Sequence, residues 1–443
     1  MKVKIGNKTN DIIKRDKKVI LTVTRETYPL IPDHIEGEYV CDVEGNKFID
    51  FSSFISVYNL GLNSNREIRE AIKKQVDKLM HPAFADFYNE LPVRFAEKLV
   101  RMAPPGFKGK VFFSNSGTEA VEAAIKFSKI FTRRPYLMAF YGGFHGRTLG
   151  SLSLTASKIV QKEAFGPFSA SVHAPYAYCY RCPLHLEYPS CGIACADYIR
   201  KYPLAKEVSK KELAAIVMEP IQGEGGYVVP PKEFVKEVRK IADDAGAVLV
   251  SDEVQAGYMR TGKFFAMDNF GVQADIYTMA KSIGGGVPMG ATLVRGSLGD
   301  IPAGSHSTTF GGNLLAIAGA EASLDYINKN MPSLQTGIIK KGAYVMKRLE
   351  EMKDKYEIIG DVRGLGLMIG VEFVRDRKTK DPAVTEKDEI ADDCFENGLI
   401  VLPAGMSCIR IIPPLTIDDR VLASGMDLFE EAVKKADAKL HKK

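Results

Sequence analysis

Short apolar runs alternate with amphipathic stretches over most of the chain. KVFFS (110–114), YLMAF (136–140), AAIVMEP (214–220), AVLVSD (247–252) and IYTMA (276–280) are nearly continuous in apolar residues. Runs of this length without period-two alternation predict strands buried on both faces. Between them, GTEAVEAAIKFSKIF (117–131) places Val121, Ala124, Ile125 and Ser128 on one helical face, and an earlier segment does the same with Ile68, Ile72, Val76 and Leu79. Strands separated by helices predict an α/β fold with a mainly parallel sheet covered by helices. Tyr39 to Phe51 reads as two short strands around a turn at Glu44, Gly45 and Asn46. From about Leu324 the pattern changes to a long polar helix, VRGLGLMIGVEFV, a helix near Ile390, two short strands about Leu399 to Ile411 and a last amphipathic helix. That part predicts a small α+β domain.

The chain has 443 residues, more than one core usually takes, so two domains are expected. A net charge of +5 is small for this length and argues against a nucleic-acid partner. The basic N-terminal stretch lacks the apolar core of a secretory signal. No run approaches the roughly 18 apolar residues of a membrane helix. A cytoplasmic protein with small-molecule partners and no membrane partner is expected.

Two of the predicted strands carry chemistry at their ends. The run Ala247 to Val250 delivers Asp252, and Ile276 to Ala280 delivers Lys281 just before Gly284, Gly285 and Gly286. A carboxylate and an amine at neighbouring strand ends suit pyridoxal 5'-phosphate, the lysine for a Schiff base and the aspartate for the ring nitrogen. Charged side chains inside apolar runs are costly unless they have such partners. SNSGTEA (114–120) joins a strand to a helix. There Gly117 allows close backbone approach, Thr118 offers a hydroxyl, and the helix start offers unpaired N–H groups for a phosphate. The same letters from Ser116 onward also make an ordinary helix cap.

On these motifs the chain resembles the class III aminotransferases, 4-aminobutyrate and ornithine aminotransferase-like enzymes of fold type I, over nearly its whole length. The resemblance implies a large cofactor-binding domain over 61–325 and a small domain from both chain ends, 1–60 and 326–443. It implies that Ser116, Gly117 and Thr118 hold the cofactor phosphate. Phe144, in YGGFHGRTLG, stacks on the ring beside His145, and Arg147 meets a distal substrate carboxylate. In VMEPIQGEGG, Glu219 orders a cofactor-contacting loop. Glu224 is a switch that pairs with Arg410 of CIRIIPPLTI when a substrate lacks an α-carboxylate. Val254 packs on the ring face opposite Phe144, and Gln255 bonds the phenolic oxygen. Thr309, in STTFGGN, completes the phosphate site of a neighbouring subunit, which implies a homodimer or higher homo-oligomer. Ile55 matches an aliphatic position of 4-aminobutyrate aminotransferases. The segment around it departs from the family pattern, with Leu62 and Asn65 where histidine and proline are common.

The expected activity is amino transfer from an amino acid or ω-amine to a 2-oxo acid such as 2-oxoglutarate. An amino-acid racemase or epimerase on the same scaffold is the alternative, although relatives with that chemistry tend to carry aspartate at the position of Glu224. A non-catalytic binding protein that kept the fold is the alternative of another class. Four cysteines, Cys179, Cys182, Cys191 and Cys195, cluster outside these motifs as C-x2-C and C-x3-C. The spacing leaves open a metal site, with His185 as a substitute ligand, two disulfides, or reduced thiols.

Overall fold

The computed structural model describes residues 2–23, 28–61, 65–166 and 168–440. Leu62 lies outside them. The chain divides into two compact units, Arg66–Ile338 and a second formed by Met1–Asn65 with Ile339–Lys443. The second division falls within the 42-residue helix Leu314–Lys355.

The first unit contains a seven-stranded sheet. Its order is Lys110–Ser114, Gly290–Val294, Ile276–Met279, Val248–Asp252, Leu213–Met218, Tyr136–Phe140 and Ser171–Ala174. All neighbours are parallel except Gly290–Val294, which runs antiparallel to both of its own. Leu213–Met218 and Val248–Asp252 are buried along their whole length. That is why their apolar runs are continuous rather than alternating. Helix Gly117–Thr132 buries Val121, Ala124, Ile125 and Ser128. Val121, Ala124 and Ile125 pack with Leu137, Val217, Val250 and Ile276 of the sheet in one core.

Helix Arg66–Lys78 departs from its sequence reading. Ile68 is buried, but Val76 and Leu79, which follow on the same face, are about half exposed.

In the second unit, strands Pro32–Glu36, Tyr39–Asp42, Lys47–Asp50 and Leu399–Ile400 form one sheet. Asp42 Oδ1 accepts from the N–H groups of Glu44 and Asn46, and Gly45 turns the chain at φ +81°. Leu399 pairs with Ile49 in parallel register, so the two chain ends share this sheet. Strands Ile359–Leu365, Met368–Asp376, Cys408–Ile411 and Leu402–Ala404 form another. The region from Leu399 to Ile411 thus holds three short strands, not two, because Pro403 lies in its own strand, Leu402–Ala404, beside Arg410. Among the described residues no helix is long and apolar enough to cross a membrane.

Candidate active site

Strands Val248–Asp252 and Ile276–Met279 lie side by side in register, with Asp252 opposite Thr278. The adjacency places Asp252 beside the strand that continues through Ala280 into Lys281. Asp252 is 3% exposed. Its Oδ2 accepts from Nδ1 of His145 at 2.8 Å, and its Oδ1 accepts from Thr278 Oγ1 and the Val254 N–H, both at 3.2 Å. A buried carboxylate needs such donors. Burial alone would lower the pKa of His145. The hydrogen bond and charge of Asp252, with the charge of Glu219, outweigh it and hold the imidazole above its ordinary value.

Lys281 opens a 3-10 turn, Lys281–Gly284, at φ +52°. A left-handed lysine costs about 1–2 kcal/mol and persists only where its surroundings fix it. Gly285 is part of that fixing. A Cβ on it would meet Ile68 Cγ2 at 2.9 Å and Gly319 O at 3.1 Å.

Ser116 caps helix Gly117–Thr132 by accepting from the Glu119 N–H at 3.3 Å. A Cβ on Gly117 would meet Val254 Cγ1 at 2.9 Å and Ala280 Cβ at 3.5 Å. The helix start, the segment just after the Asp252 strand and the residue before Lys281 therefore converge on one glycine. Thr118 Oγ1 bonds the hydroxyls of Thr148 (2.8 Å) and Ser151 (2.6 Å). Gly146 closes over it, since a Cβ there would lie 2.4 Å from Thr118 Oγ1.

Glu219 joins two loops. Its carboxylate accepts from the Phe144 N–H and the Gly223 N–H, both at 2.9 Å. Burial pushes its pKa up to about 7, with the charge of His145 opposing and that of Asp252 adding. Gln255 is buried and accepts from the Tyr227 hydroxyl at 2.6 Å. Phe144 is half-buried, and the exposed Arg147 lies over its ring at 5.7 Å. Glu224 is partly buried, 3.9 Å from the Lys158 ammonium. Thr309 is exposed, whereas its neighbour Thr308 accepts from Asn115 Nδ2 at 2.9 Å.

Ile55 and Arg410 belong to the second unit. Arg410 is buried on strand Cys408–Ile411 and donates to Pro403 O at 3.1 Å. Ile55 is 39% exposed in a turn where Ser53, Phe54, Ile55 and Ser56 all have positive φ. Ser53 ties that turn to the end of the Arg410 strand through a 2.6 Å bond to Ile412 O.

Sequence reasoning missed four groups here. Thr278 hides inside an apolar run, and the parallel register is the signal that would have found it. Thr148 and Ser151 carry no signal in the sequence beyond their hydroxyls. Lys158 had no signal beyond its charge.

The donor set fits a phosphorylated pyridine aldehyde. It combines a glycine-lined helix start for an anion, an amine, and a buried carboxylate backed by an imidazole. Asn115, Ser116 and Glu119 bond one another around that helix start, and the caps leave the close approach at Gly117 to the backbone.

Residues 21–433 match the family model described as aminotransferase class-III. The chain is 40% identical to the leucine/methionine racemase of Thermococcus litoralis, over 96% of this chain and 95% of that one. It is 37% identical to a probable 4-aminobutyrate aminotransferase of Bacillus subtilis, over 90% and 92%. Among solved structures, the taurine:2-oxoglutarate aminotransferase of Bifidobacterium kashiwanohense, in complex with PLP and glutamate, superposes with a TM-score of 0.90 at 26% identity. That match covers 99% of this chain and 100% of that one.

Proposed function

The chain belongs to the class III aminotransferases, and from that premise we propose that it uses pyridoxal 5'-phosphate to move an amino group from an amino acid or a 4-aminobutyrate-like or ornithine-like ω-amine to a 2-oxo acid such as 2-oxoglutarate. The observation that carries this reading is the convergence at Gly117 of the phosphate seat, the Asp252 strand and the Lys281 strand. The 4-aminobutyrate aminotransferase relative supports the ω-amine class of donor.

When bound, the cofactor supplies an electron sink for the substrate carbon that loses its proton. Lys281 would hold the cofactor, and its amine would be the group that moves the proton at the reacting carbon. Asp252 keeps the ring nitrogen protonated, and His145 and Thr278 hold the Asp252 carboxylate in place. The backbone of Ser116, Gly117 and Thr118 binds the phosphate. Glu219 fixes the Phe144 and Gly223 backbone, and Phe144, Val254 and Gln255 would be the residues that hold the ring. Arg410 binds an α-carboxylate bidentately, Arg147 a distal one, and Ile55 lines the substrate side.

We place the active enzyme as a homodimer or higher homo-oligomer. Support comes from exposed apolar residues of the first unit, Val76, Leu79, Met80 and Phe310, on segments joined by the Leu314 N–H to Met80 O bond. Exposed apolar residues in such a group mark association surfaces. Thr309 is exposed beside Phe310 and is proposed to reach the partner's phosphate seat.

Racemisation is the second reading, favoured by the identity to the Thermococcus litoralis racemase. Glu224 separates the two. By the family resemblance, Glu224 serves donors that have no α-carboxylate. Glu224→Gln is therefore expected to slow 4-aminobutyrate more than α-amino acids. The test is to assay that variant for transamination of both donor types and for exchange of the α-hydrogen with solvent. Unchanged transamination of both types with loss of inversion would replace the aminotransferase reading with racemisation.

A further inference from the structure

Cys179, Cys182, Cys191 and Cys195 line one small cavity of the first unit, in a segment that amino transfer does not use. The cavity holds about 20 Å³, room for roughly one water-sized occupant. Its remaining wall is largely apolar, with Tyr176, Leu184, Leu186 and Ile193 among the lining residues.

The cysteines come as two pairs, each presented by a tight turn. Cys179 opens the 3-10 turn Cys179–Arg181, and Cys182 follows directly. The Cys182 carbonyl accepts from the His185 N–H at 3.0 Å, which folds the chain back. Cys191 precedes Gly192 and Ile193, both left-handed at φ +56° and +60°. They turn the chain into helix Ala194–Lys201, with Cys195 in its first turn. The positive end of a helix favours thiolate there. His185 does not join them. It is exposed and lies outside the residues lining the cavity, so its sequence reading as a substitute ligand is corrected.

Residues 175–193 contain turns and the short 3-10 segment Cys179–Arg181 but no strand or longer helix. Stretches this long without regular structure are uncommon in a compact domain unless they serve a function. Segments with little core of their own are commonly stapled by metal or disulfide. In this structure no disulfide joins Cys179, Cys182, Cys191 or Cys195. A coordinated thiol is deprotonated outright, so a bound divalent cation would hold these cysteines as thiolates.

We propose that Cys179, Cys182, Cys191 and Cys195 form a structural four-thiolate site for a soft divalent cation of the zinc type. On binding, the hydrated ion sheds its waters and the four thiols release protons to solvent. Nothing is oxidised or reduced. Among the described residues, the group of three or more ligand atoms within 4.8 Å of one another is His34, Glu36 and Cys41, not the four sulfurs. Closure at the usual zinc–sulfur distance of about 2.3 Å therefore needs the thiols to turn about χ1, between staggered wells, into the cavity they already line. The His34 group is the weaker site, since Asp33 holds His34 and Lys47 holds Glu36, each at 2.8 Å.

The test uses the full-length holoenzyme equilibrated with zinc chloride, freed of loose metal by gel filtration and assayed for zinc, and then exchanged into cobalt chloride. The expected result is about one tightly held ion per chain, with the thiolate charge-transfer and tetrahedral ligand-field bands of cobalt bound by four sulfurs. Cys179→Ser combined with Cys182→Ser should remove the ion and the spectrum, while pyridoxal phosphate content stays the same. If that variant fails to fold, the cobalt spectrum of the unaltered chain decides alone. Seven titratable thiols and no retained metal would overturn the proposal. So would a mass gain of two hydrogens per pair on reduction, which marks disulfides, or metal retained by the double variant.

Discussion

Lys281→Ala is expected to abolish amino transfer and to remove the visible absorbance of lysine-bound cofactor. Two losses combine. In the proposed mechanism the side chain is the covalent anchor and also the amine that moves the proton at the reacting carbon, a role worth about 10²–10⁴-fold by itself. The fold should survive, because the turn that follows is packed through Gly285 against Ile68 and Gly319. Steady-state assay, the absorbance spectrum and a melting curve check the three parts. Borohydride reduction of the unaltered enzyme followed by peptide mapping should place the label on Lys281, and label on another lysine contradicts the assignment. The same variant tests the shared site. Mixed with Thr309→Ala under conditions of proven subunit exchange, it should recover activity, since some hybrid sites carry neither defect. No recovery counts against Thr309 acting across subunits.

Asp252→Asn is expected to retain cofactor and to lower kcat by about 10²–10³, the cost of removing one preorganised electrostatic contact to the transition state. The carboxamide is nearly the same shape. Its oxygen can still accept from Thr278 and from the Val254 N–H, so the strand end should hold. What it loses is charge. KM should change less than kcat, because the interaction matters chiefly in the transition state. A second readout follows from His145. Its pKa is held up by the hydrogen bond and charge of Asp252 against burial, which lowers it. With the charge gone, burial is opposed only by the charge of Glu219, and the pKa of the imidazole should fall. NMR titration of His145 and the pH profile of kcat would both register this, and near-normal kcat would remove Asp252 from the role given to it.

The buried strands were legible because burial on both faces leaves continuous apolar runs, as in Val248–Asp252, and because Asp252 and Lys281 interrupt those runs at their ends. The helix over Gly117–Thr132 was legible from its period and its cap. Strand direction was not. Gly290–Val294 is as apolar as its neighbours, and nothing in its pattern says that it runs antiparallel. The left-handed turn over Ser53 to Ser56 contains no glycine, so the usual sign of positive φ is missing. Tertiary bonds such as Ser53 to Ile412 O hold it instead. Thr278, Thr148 and Ser151 gain their meaning only from partners distant in the chain, Asp252 and Thr118. The half-exposed Val76 and Leu79 match a helical face by period, but period does not say what covers that face.

The central claim is that the amino group leaves the substrate. Mixing the holoenzyme with one enantiomer of a single amino acid, with no 2-oxo acid present, measures this directly. The expected result is one burst of 2-oxo acid, about equal to the number of cofactor sites, a matching change in the cofactor spectrum, and no further turnover until an acceptor is added. The remaining amino acid keeps its configuration. Continuous conversion to the opposite enantiomer, with the cofactor spectrum restored and no 2-oxo acid formed, would contradict it.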